Sequence, residues 1–478
     1  MSTGATDRPT VWTSLAYAYA LLLAAVLSYF LLGIPVQLTD SFGNLLNVQG
    51  RTLGEVVSDN LWQASFLRPL LWGQMAFVYG LAREQPFYWF RGLHALQVVL
   101  LSVMFVALAR PRTGRDLACV PLGLAVLVGL HTFAGTVEEA FPINTFLTIV
   151  LCCYAAALVA LADYRWWHDA LAAVLFVFAA LTVESGLLVW VIVVGAFALG
   201  ARGVSRAGIA LQVALLAAYV ALRFGALHVG SPSLGERSSG FGFGILEPSQ
   251  MQARFGAGPW LFYLYNVATS ALSVLASEPR AGVWRLVRGV VDGPLEPAMV
   301  VNVAASIGAT ALLAWFAWSR RAAWRARTLT RGDRLVLLFG GVLAANALMS
   351  YAYTKDVIMS PAGAFYALAV YAAARHAAAA VPLRAAHLNA LAVTAAAVAS
   401  GAWAVREVGA CANLRQMAVT VRNEWAYADE WLGEQHIDVS SPGAAALKTQ
   451  LSDDAIWRHP APPPLLPNAD WVAVFDVK

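Results

Sequence analysis

Charge is what this sequence has least of. Only 13% of its 478 residues are Asp, Glu, Lys or Arg, against roughly 25% in a soluble domain. Hydrophobic residues make up 59%, and the mean hydropathy is +0.63. A shortage of that size excludes an ordinary soluble globule and implies a polytopic membrane protein. The net charge of +4 is small, and its meaning depends on which side of a membrane the charges occupy. The arginines fall in short, separate loops rather than along one face, which argues against nucleic acid as a partner. Cysteine is scarce too. Cys119, Cys152, Cys153 and Cys411 form no CxxC pair, so neither a disulfide framework nor a metal site follows. Adjacent Cys152 and Cys153 read as small packing residues. No internal repeat and no glycine-rich phosphate loop is found. The first apolar run, 11–34, exceeds the roughly 7–15-residue core of a signal peptide and has no small-x-small cleavage site. It is expected to stay as a first transmembrane helix.

What the chain does have is a series of apolar runs. A span takes about 20 mainly apolar residues. That criterion places helices at 11–34, 87–109, 117–133, 143–162, 166–183, 186–201, 207–227, 296–318, 335–353, 362–380 and 388–405, about eleven in all. If the N-terminus is cytoplasmic, the inner loops are RPRTGR (110–115), DYRWWHD (163–169), ARGVSR (201–206), SRRAAWRARTLTRGDR (319–334) and RHAAAAVPLRAAH (375–387). The short outer loops AGTVEEAFP (134–142) and TKDVIMSP (354–361) hold a single lysine between them. Basic residues on alternate loops are the positive-inside pattern, which puts the C-terminus on the periplasmic side.

One segment, PWLFYLYNVATSALSVLAS (259–277), is apolar enough to span. Counting it would reverse every later helix and carry the arginines of 319–334 outside. It is therefore expected to be re-entrant or interfacial, within a long outer loop, 228–295. Another outer loop, 35–86, contains DNLWQASF and RPLLWGQMAFVYGLA. Their mixture of aromatic and polar residues suits short helices lying along the headgroup region. The expected architecture is all-α: a transmembrane domain over 1–405, then a small α/β or irregular periplasmic segment over 406–478, near the lower size limit for an independent core.

Polar residues at membrane depth cost about 2.5–3.5 kcal/mol each at a helix centre, so those that remain need a reason. They are Arg68, His94, His131, Glu138, Glu139, Glu184, Lys355 and Asp356. All but His94 fall at or near the expected outer ends. Glu184, in FAALTVESGLLVWVIVV, is either the solvated tip of a helical hairpin or a carboxylate facing a polar cavity. TVEEAFP reads first as loop chemistry, His94 and His131 as hydrogen-bonded structural residues, and Lys355–Asp356 as a weak surface pair. Asp40 follows the first helix directly. An acid, an arginine, a lysine and further carboxylates on one face suit a reaction that removes a proton and releases an anion. Arg68 and Lys355 would hold a phosphate while Asp40 acted as base. Arg280, Arg285 and Arg288, in PRAGVWRLVRGVV, would add a basic patch facing lipid headgroups.

The order of these motifs resembles the GT-C membrane glycosyltransferases, particularly the protein O-mannosyltransferases and the TPR-bearing membrane mannosyltransferases. The matching stretches are TDSFGN (39–44), FLRPLLW (66–72), RGLHALQ (91–97), GLHTFAGTVEEAF (129–141), LTVESGLL (181–188) and SYAYTKDVIMSPAGAFYAL (350–368). The resemblance covers about residues 11–405. The chain departs from the family pattern at Ser41, where relatives commonly carry a second acid, at Thr132 in place of proline, and at Val183 in place of lysine.

The resemblance implies a polyprenyl-phosphate-linked sugar as donor and a hydroxyl acceptor, on a glycolipid, polysaccharide or protein, at the outer face of the bacterial inner membrane. The implied reaction is a single inverting displacement with Asp40 as base and Arg68 and Lys355 on the departing phosphate. His94, His131, Glu138, Glu139, Glu184 and Asp356 would position the substrate. No cofactor is implied. Three rivals stay open: a polysaccharide polymerase or ligase using a lipid-diphosphate glycan, a secondary transporter, and a membrane scaffold.

Overall fold

The computed structural model describes residues 11–38, 40–62, 66–82, 86–138, 145–227, 238–241, 243–256, 258–278, 282–293, 295–381 and 386–459. Among the described residues the chain is all-α apart from one small hairpin. The first helix, α1 (Val11–Leu32), leads to three short helices, α2 (Asp40–Val48), α3 (Leu53–Trp62) and α4 (Pro69–Ala82). Then come α5 (Pro86–Ala109), α6 (Gly114–Gly129), α7 (His131–Glu138), α8 (Thr145–Ala160), α9 (Trp167–Ala180), α10 (Leu188–Ala198) and α11 (Arg206–Val220). Strands β1 (Ser238–Gly240) and β2 (Gly244–Leu246) pair antiparallel, with Ser239 opposite Ile245. After α12 (Pro248–Phe255), α13 (Trp260–Ala276) and α14 (Val283–Asp292) follow the long helices α15 (Pro297–Arg325), α16 (Arg331–Met349), α17 (Ser360–Ala380) and α18 (Ala386–Ala426). Two short helices, α19 (Ala428–Glu434) and α20 (Pro442–Arg458), end the described chain.

Among the described residues, six helices can cross a membrane by length and composition: Val11–Leu32, Trp89–Ala109, Arg206–Ala226, Pro297–Arg325, Arg331–Met349 and Asp356–Ala380. Four shorter apolar helices accompany them. The last of the six is the axis of the bundle, 94% of its apolar window being buried. Its alanines and Gly363 let α6, α8, α15 and α16 approach closely, as small residues do where helices pack in lipid.

Helix ends gather at two poles, and at one of them arginines fasten the ends together. Arg115 donates to the carbonyls of Ala378 and Val381 at 3.2 and 3.3 Å, Arg331 to those of Leu108 and Leu161 at 3.2 and 3.1 Å, and Arg334 to those of Leu199 and Gly200 at 3.1 and 3.3 Å. The last carbonyls of a helix have no partner within it and carry partial negative charge, so the arginines complete four helices at once. Three of the helices that begin at this pole carry their own caps. Thr113 with Asp116 and Thr330 with Asp333 form capping boxes, and Ser205 caps α11.

The structure departs from the sequence expectations in three places. The run 117–133 is not one helix: α6 stops at Gly129, Leu130 is extended, and α7 starts at His131. The Gly129 carbonyl is taken instead by the Arg406 guanidinium at 2.8 Å. The run 388–405 does not end at Arg406, because that residue is buried and bonded within the bundle. The helix therefore continues to Ala426, so the boundary expected at 405–406 falls inside α18. Between 406 and 459 the described residues form helices joined by short turns, with no strand; the rest of the segment expected to be α/β or irregular, 460–478, lies outside the described residues. The described part folds back on the start of the chain. The Trp425 indole donates to the Val36 carbonyl at 2.6 Å, His459 Nε2 to the Gly33 carbonyl at 2.8 Å, and Gln49 to the Gly443 carbonyl at 3.0 Å.

Candidate functional site

Arg68 immediately precedes Pro69, the first residue of α4. Proline suits that position and holds the residue before it extended, so Arg68 stands clear of the helix. The Leu70 amide donates to the Leu181 carbonyl at 3.1 Å, and Gln74 donates to Thr182 Oγ1 at 3.0 Å. These bonds tie α4 to the end of α9. There the chain turns through a 3-10 segment, Glu184–Leu187. Gly186 permits the turn: a side chain on it would overlap the Ala179 backbone.

The turn aims Glu184 at two guanidiniums. Arg68 Nε and Nη2 both donate to Glu184 Oε2, at 3.0 and 2.6 Å. Arg223 Nη1 donates to Oε1 at 3.2 Å and to the Tyr219 hydroxyl at 2.9 Å. Arg223 reaches the carboxylate from a π-helical turn, Ala221–Ala226, that finishes α11. Such wide turns rotate side chains out of the regular helical register and recur at functional sites. Burial opposes ionisation of Glu184, but Arg68 and then Arg223 outweigh it and hold the carboxyl below its ordinary range. The side chains of Arg68 and Glu184 remain 31% and 25% exposed, whereas Arg223 is only 6% exposed. Two cations share one anion, so the cluster carries a surplus positive charge. Arg68 Nη1 has no hydrogen-bond partner among the described residues, and the guanidinium carbon lies 4.5 Å from the centre of the Phe66 ring. A partly wet guanidinium with surplus charge and an unused N–H is suited to receive an anion.

The second assembly surrounds Lys355. His131 opens α7, and Asp356 opens a 3-10 turn, Asp356–Met359, ahead of α17. Both are buried, with His131 Nε2 3.3 Å from Asp356 Oδ1. The expected Lys355–Asp356 surface pair is thus replaced by a buried His131–Asp356 contact. The loop before it is built into the structure. The Ser239 amide donates to the Ala352 carbonyl at 3.1 Å, the Thr354 amide to the Ser239 carbonyl at 3.2 Å, and Asn346 to the Ile358 carbonyl at 2.9 Å. On this frame Lys355 is exposed, its ammonium 5.6 Å from the centre of the Tyr353 ring, and it makes no ion pair among the described residues. No hydrogen bond or ion pair joins Lys355 to Arg68 or Glu184.

Asp40 is the first residue of α2, and its side chain lies outside the described residues. Phe42 is fully buried, its ring edge-on to Trp425 at 5.7 Å. Glu138 ends α7, but its side chain, like the whole of Glu139, lies outside the described residues. His94 is buried, with Nδ1 3.2 Å from Arg91 Nη1. Arg91 in turn donates to the Ile34 and Pro35 carbonyls at 2.8 and 2.9 Å. That pair closes the exit of α1 and positions the segment that leads to Asp40.

Sequence reasoning brought Arg68 and Glu184 to one face, and the structure joins them. It missed Arg223, Tyr219 and Arg91. Arg223 had a signal, since a lone arginine in the apolar run 207–227 meets the same cost that singled out the others. Among the described residues, no group of three or more His, Cys, Asp or Glu side chains could hold a metal ion. No protein-family profile, curated protein or solved structure matches the chain.

Proposed function

We propose that the protein is an integral-membrane glycosyltransferase of the GT-C kind, moving a sugar from a polyprenyl-phosphate donor to a hydroxyl acceptor. In this reading it crosses the bacterial inner membrane about eleven times. The arginine-fastened pole faces the cytoplasm, and residues 406–478 lie in the periplasm. The observation that carries the reading is the Arg68–Glu184–Arg223 cluster, a built anion site with surplus positive charge. It lies away from the arginine-fastened pole, and two of its three residues, Arg68 and Glu184, fall in stretches that carry the family resemblance.

The chemistry is one displacement. Asp40 takes the proton of the acceptor hydroxyl as that oxygen bonds to the anomeric carbon. The bond from that carbon to the phosphate oxygen breaks, and the phosphate departs on its lipid with the electron pair. Arg68 stabilises the charge that develops, and Lys355 supplies a second cation from its exposed loop. Glu184 is a positioning residue: it holds the Arg68 guanidinium by two of its N–H groups and leaves the third side of the fork open. His131 and Asp356 act on Lys355 by fixing the turn that presents it.

The test is mass spectrometry of envelope glycolipids and glycoproteins from the deletion strain and from strains carrying Asp40→Asn or Arg68→Ala. One hexose- or pentose-sized unit should vanish in the deletion and in Asp40→Asn. In Arg68→Ala it should fall by about 10²–10³-fold in rate. Glycan profiles identical to the parent in all three would refute the reading.

A further inference from the structure

The end of α18 and the start of α19 enclose one side of a hollow of about 440 Å³, lined by Leu38, Thr420, Asn423, Glu424, Tyr427 and Trp431. Its size falls within the roughly 300–1,000 Å³ of small-molecule sites. Thr420, Asn423 and Glu424 share one face of α18, Tyr427 stands at the break between the two helices, and Trp431 comes from α19. Leu38 closes the other side, two residues before Asp40. The wall is rigid: Trp425 bonds the Val36 carbonyl and packs edge-on against Phe42. The hollow is therefore built on the same unit that carries Asp40.

Its lining discriminates among ligands. Among the described lining residues there is no arginine or lysine. Arg422, beside them, donates to Asn423 Oδ1 at 3.0 Å and to the His459 carbonyl at 3.1 Å, and Glu424 contributes a carboxylate, so a phosphate group is disfavoured. Thr420, Asn423 and Glu424 would leave a lipid tail facing polar atoms that it cannot satisfy. Two aromatic rings beside a hydroxyl, an amide and a carboxylate suit a ligand with apolar C–H faces and polar edges. That is the chemistry of a neutral saccharide. Its ring C–H groups lie against Tyr427 or Trp431, and its hydroxyls exchange hydrogen bonds with the polar side chains.

We infer that this hollow seats the acceptor and that the acceptor is a saccharide, presented to Asp40 by its hydroxyl. The inference rests on the transferase reading and chooses among the acceptors which that reading leaves open. A lipid acceptor without sugar would leave these polar side chains unpaired.

The test is saturation-transfer-difference NMR on the full chain in nanodiscs. The probes are the methyl glycosides of glucose, mannose, galactose and arabinose, and maltotriose. At least one should receive saturation at its ring C–H protons. The signal should fall about fivefold in Trp431→Ala and in Tyr427→Ala, and return in Trp431→Phe. Tyr427 is 65% exposed, so its replacement leaves the bundle intact, as an unchanged thermal midpoint will show. Arg68→Ala should keep the saccharide signal while losing transfer. Transfer in cells with no saccharide signal, or a signal that survives both aromatic replacements, overturns the inference and leaves the transferase standing. A saccharide signal beside unchanged envelope glycans in the deletion strain does the reverse: it keeps the hollow as a sugar site and removes the reaction.

Discussion

Glu184 is the residue on which two cations depend. Replacing it with Gln keeps the shape but leaves Arg68 and Arg223 adjacent with no shared counter-charge. Breaking a fully buried pair in this way costs roughly 3–5 kcal/mol. Here a quarter of Glu184 and about a third of Arg68 are wet, at 25% and 31% exposure, so solvent screening lowers the expected loss to about 1–2 kcal/mol. The dependence on pH has a definite sign. The folded carboxyl is held below its ordinary value by Arg68, against the effect of burial. Its stabilisation is therefore complete above the unfolded value of about 4.3 and is lost as pH falls through the lower folded value. Thermal midpoints of the parent and Glu184→Gln should differ by a constant amount from pH 8 to pH 5.5, at values set by the buffer. Below about pH 4 the two should converge. A gap that widens in acid would show that the carboxylate is not the group the arginines hold.

At the scale of the element, α18 shows what hydropathy conveys and what it hides. The positions of the apolar helices were legible, because a run of apolar residues needs no partner to be recognised. Their starts were legible where a capping pair sits in the sequence, as at Thr113 with Asp116 and Thr330 with Asp333. The end of α18 was not. Arg406 and Glu407 read as the point where the chain meets water, yet Arg406 is fully buried. It donates to the Gly129 carbonyl at 2.8 Å, Ser306 Oγ at 2.7 Å and Ser277 Oγ at 3.1 Å, and its guanidinium lies 4.1 Å from the Trp403 ring centre. Those acceptors belong to three remote segments, and no local pattern announces them. Arg223 stood out in its apolar run, but its partner was hidden for the same reason: Glu184 is 39 residues away on another element. Arg406→Ala strands the acceptors of α6, α13 and α15 together and should cost about 3 kcal/mol, seen as a fall of several degrees in the thermal midpoint. Arg406→Lys should recover less than half of the loss, since one ammonium lacks the fork that reaches all three. A midpoint equal to the parent's in Arg406→Ala would show that the helix runs on to Ala426 for another reason.

For the whole molecule the deciding question is which segments share a side, and α13 is where it is decided. Its first half is tied to Ser239 and Tyr351 through Asn266, at 3.0 and 2.9 Å. Its far end is tied to α15, where Ser277 meets Ser306 at 2.8 Å. Neither attachment reaches the pole fastened by arginines. The helix that follows, α14, presents Val283, Val287, Val290 and Val291 outward, each exposed, with Arg285 and Arg288 at a different angle around it. A short helix with an open apolar face and basic flanks lies in the plane of an interface. Single cysteines at exposed positions test this arrangement with a membrane-impermeant maleimide, because Cys119, Cys152 and Cys153 are buried and Cys411 can be replaced by Ser. Cysteines at 250, 288, 355 and 436 should react in spheroplasts. Those at 165, 202 and 325 should react only after lysis. The pair 250 and 288 brackets α13, so reaction of both from outside means the chain returns to the side it left. If 288 reacts only after lysis, α13 is a crossing, and every later helix reverses. Lys355 would then stand on the cytoplasmic side, across the bilayer from Arg68, and the two cations could not share one lipid phosphate.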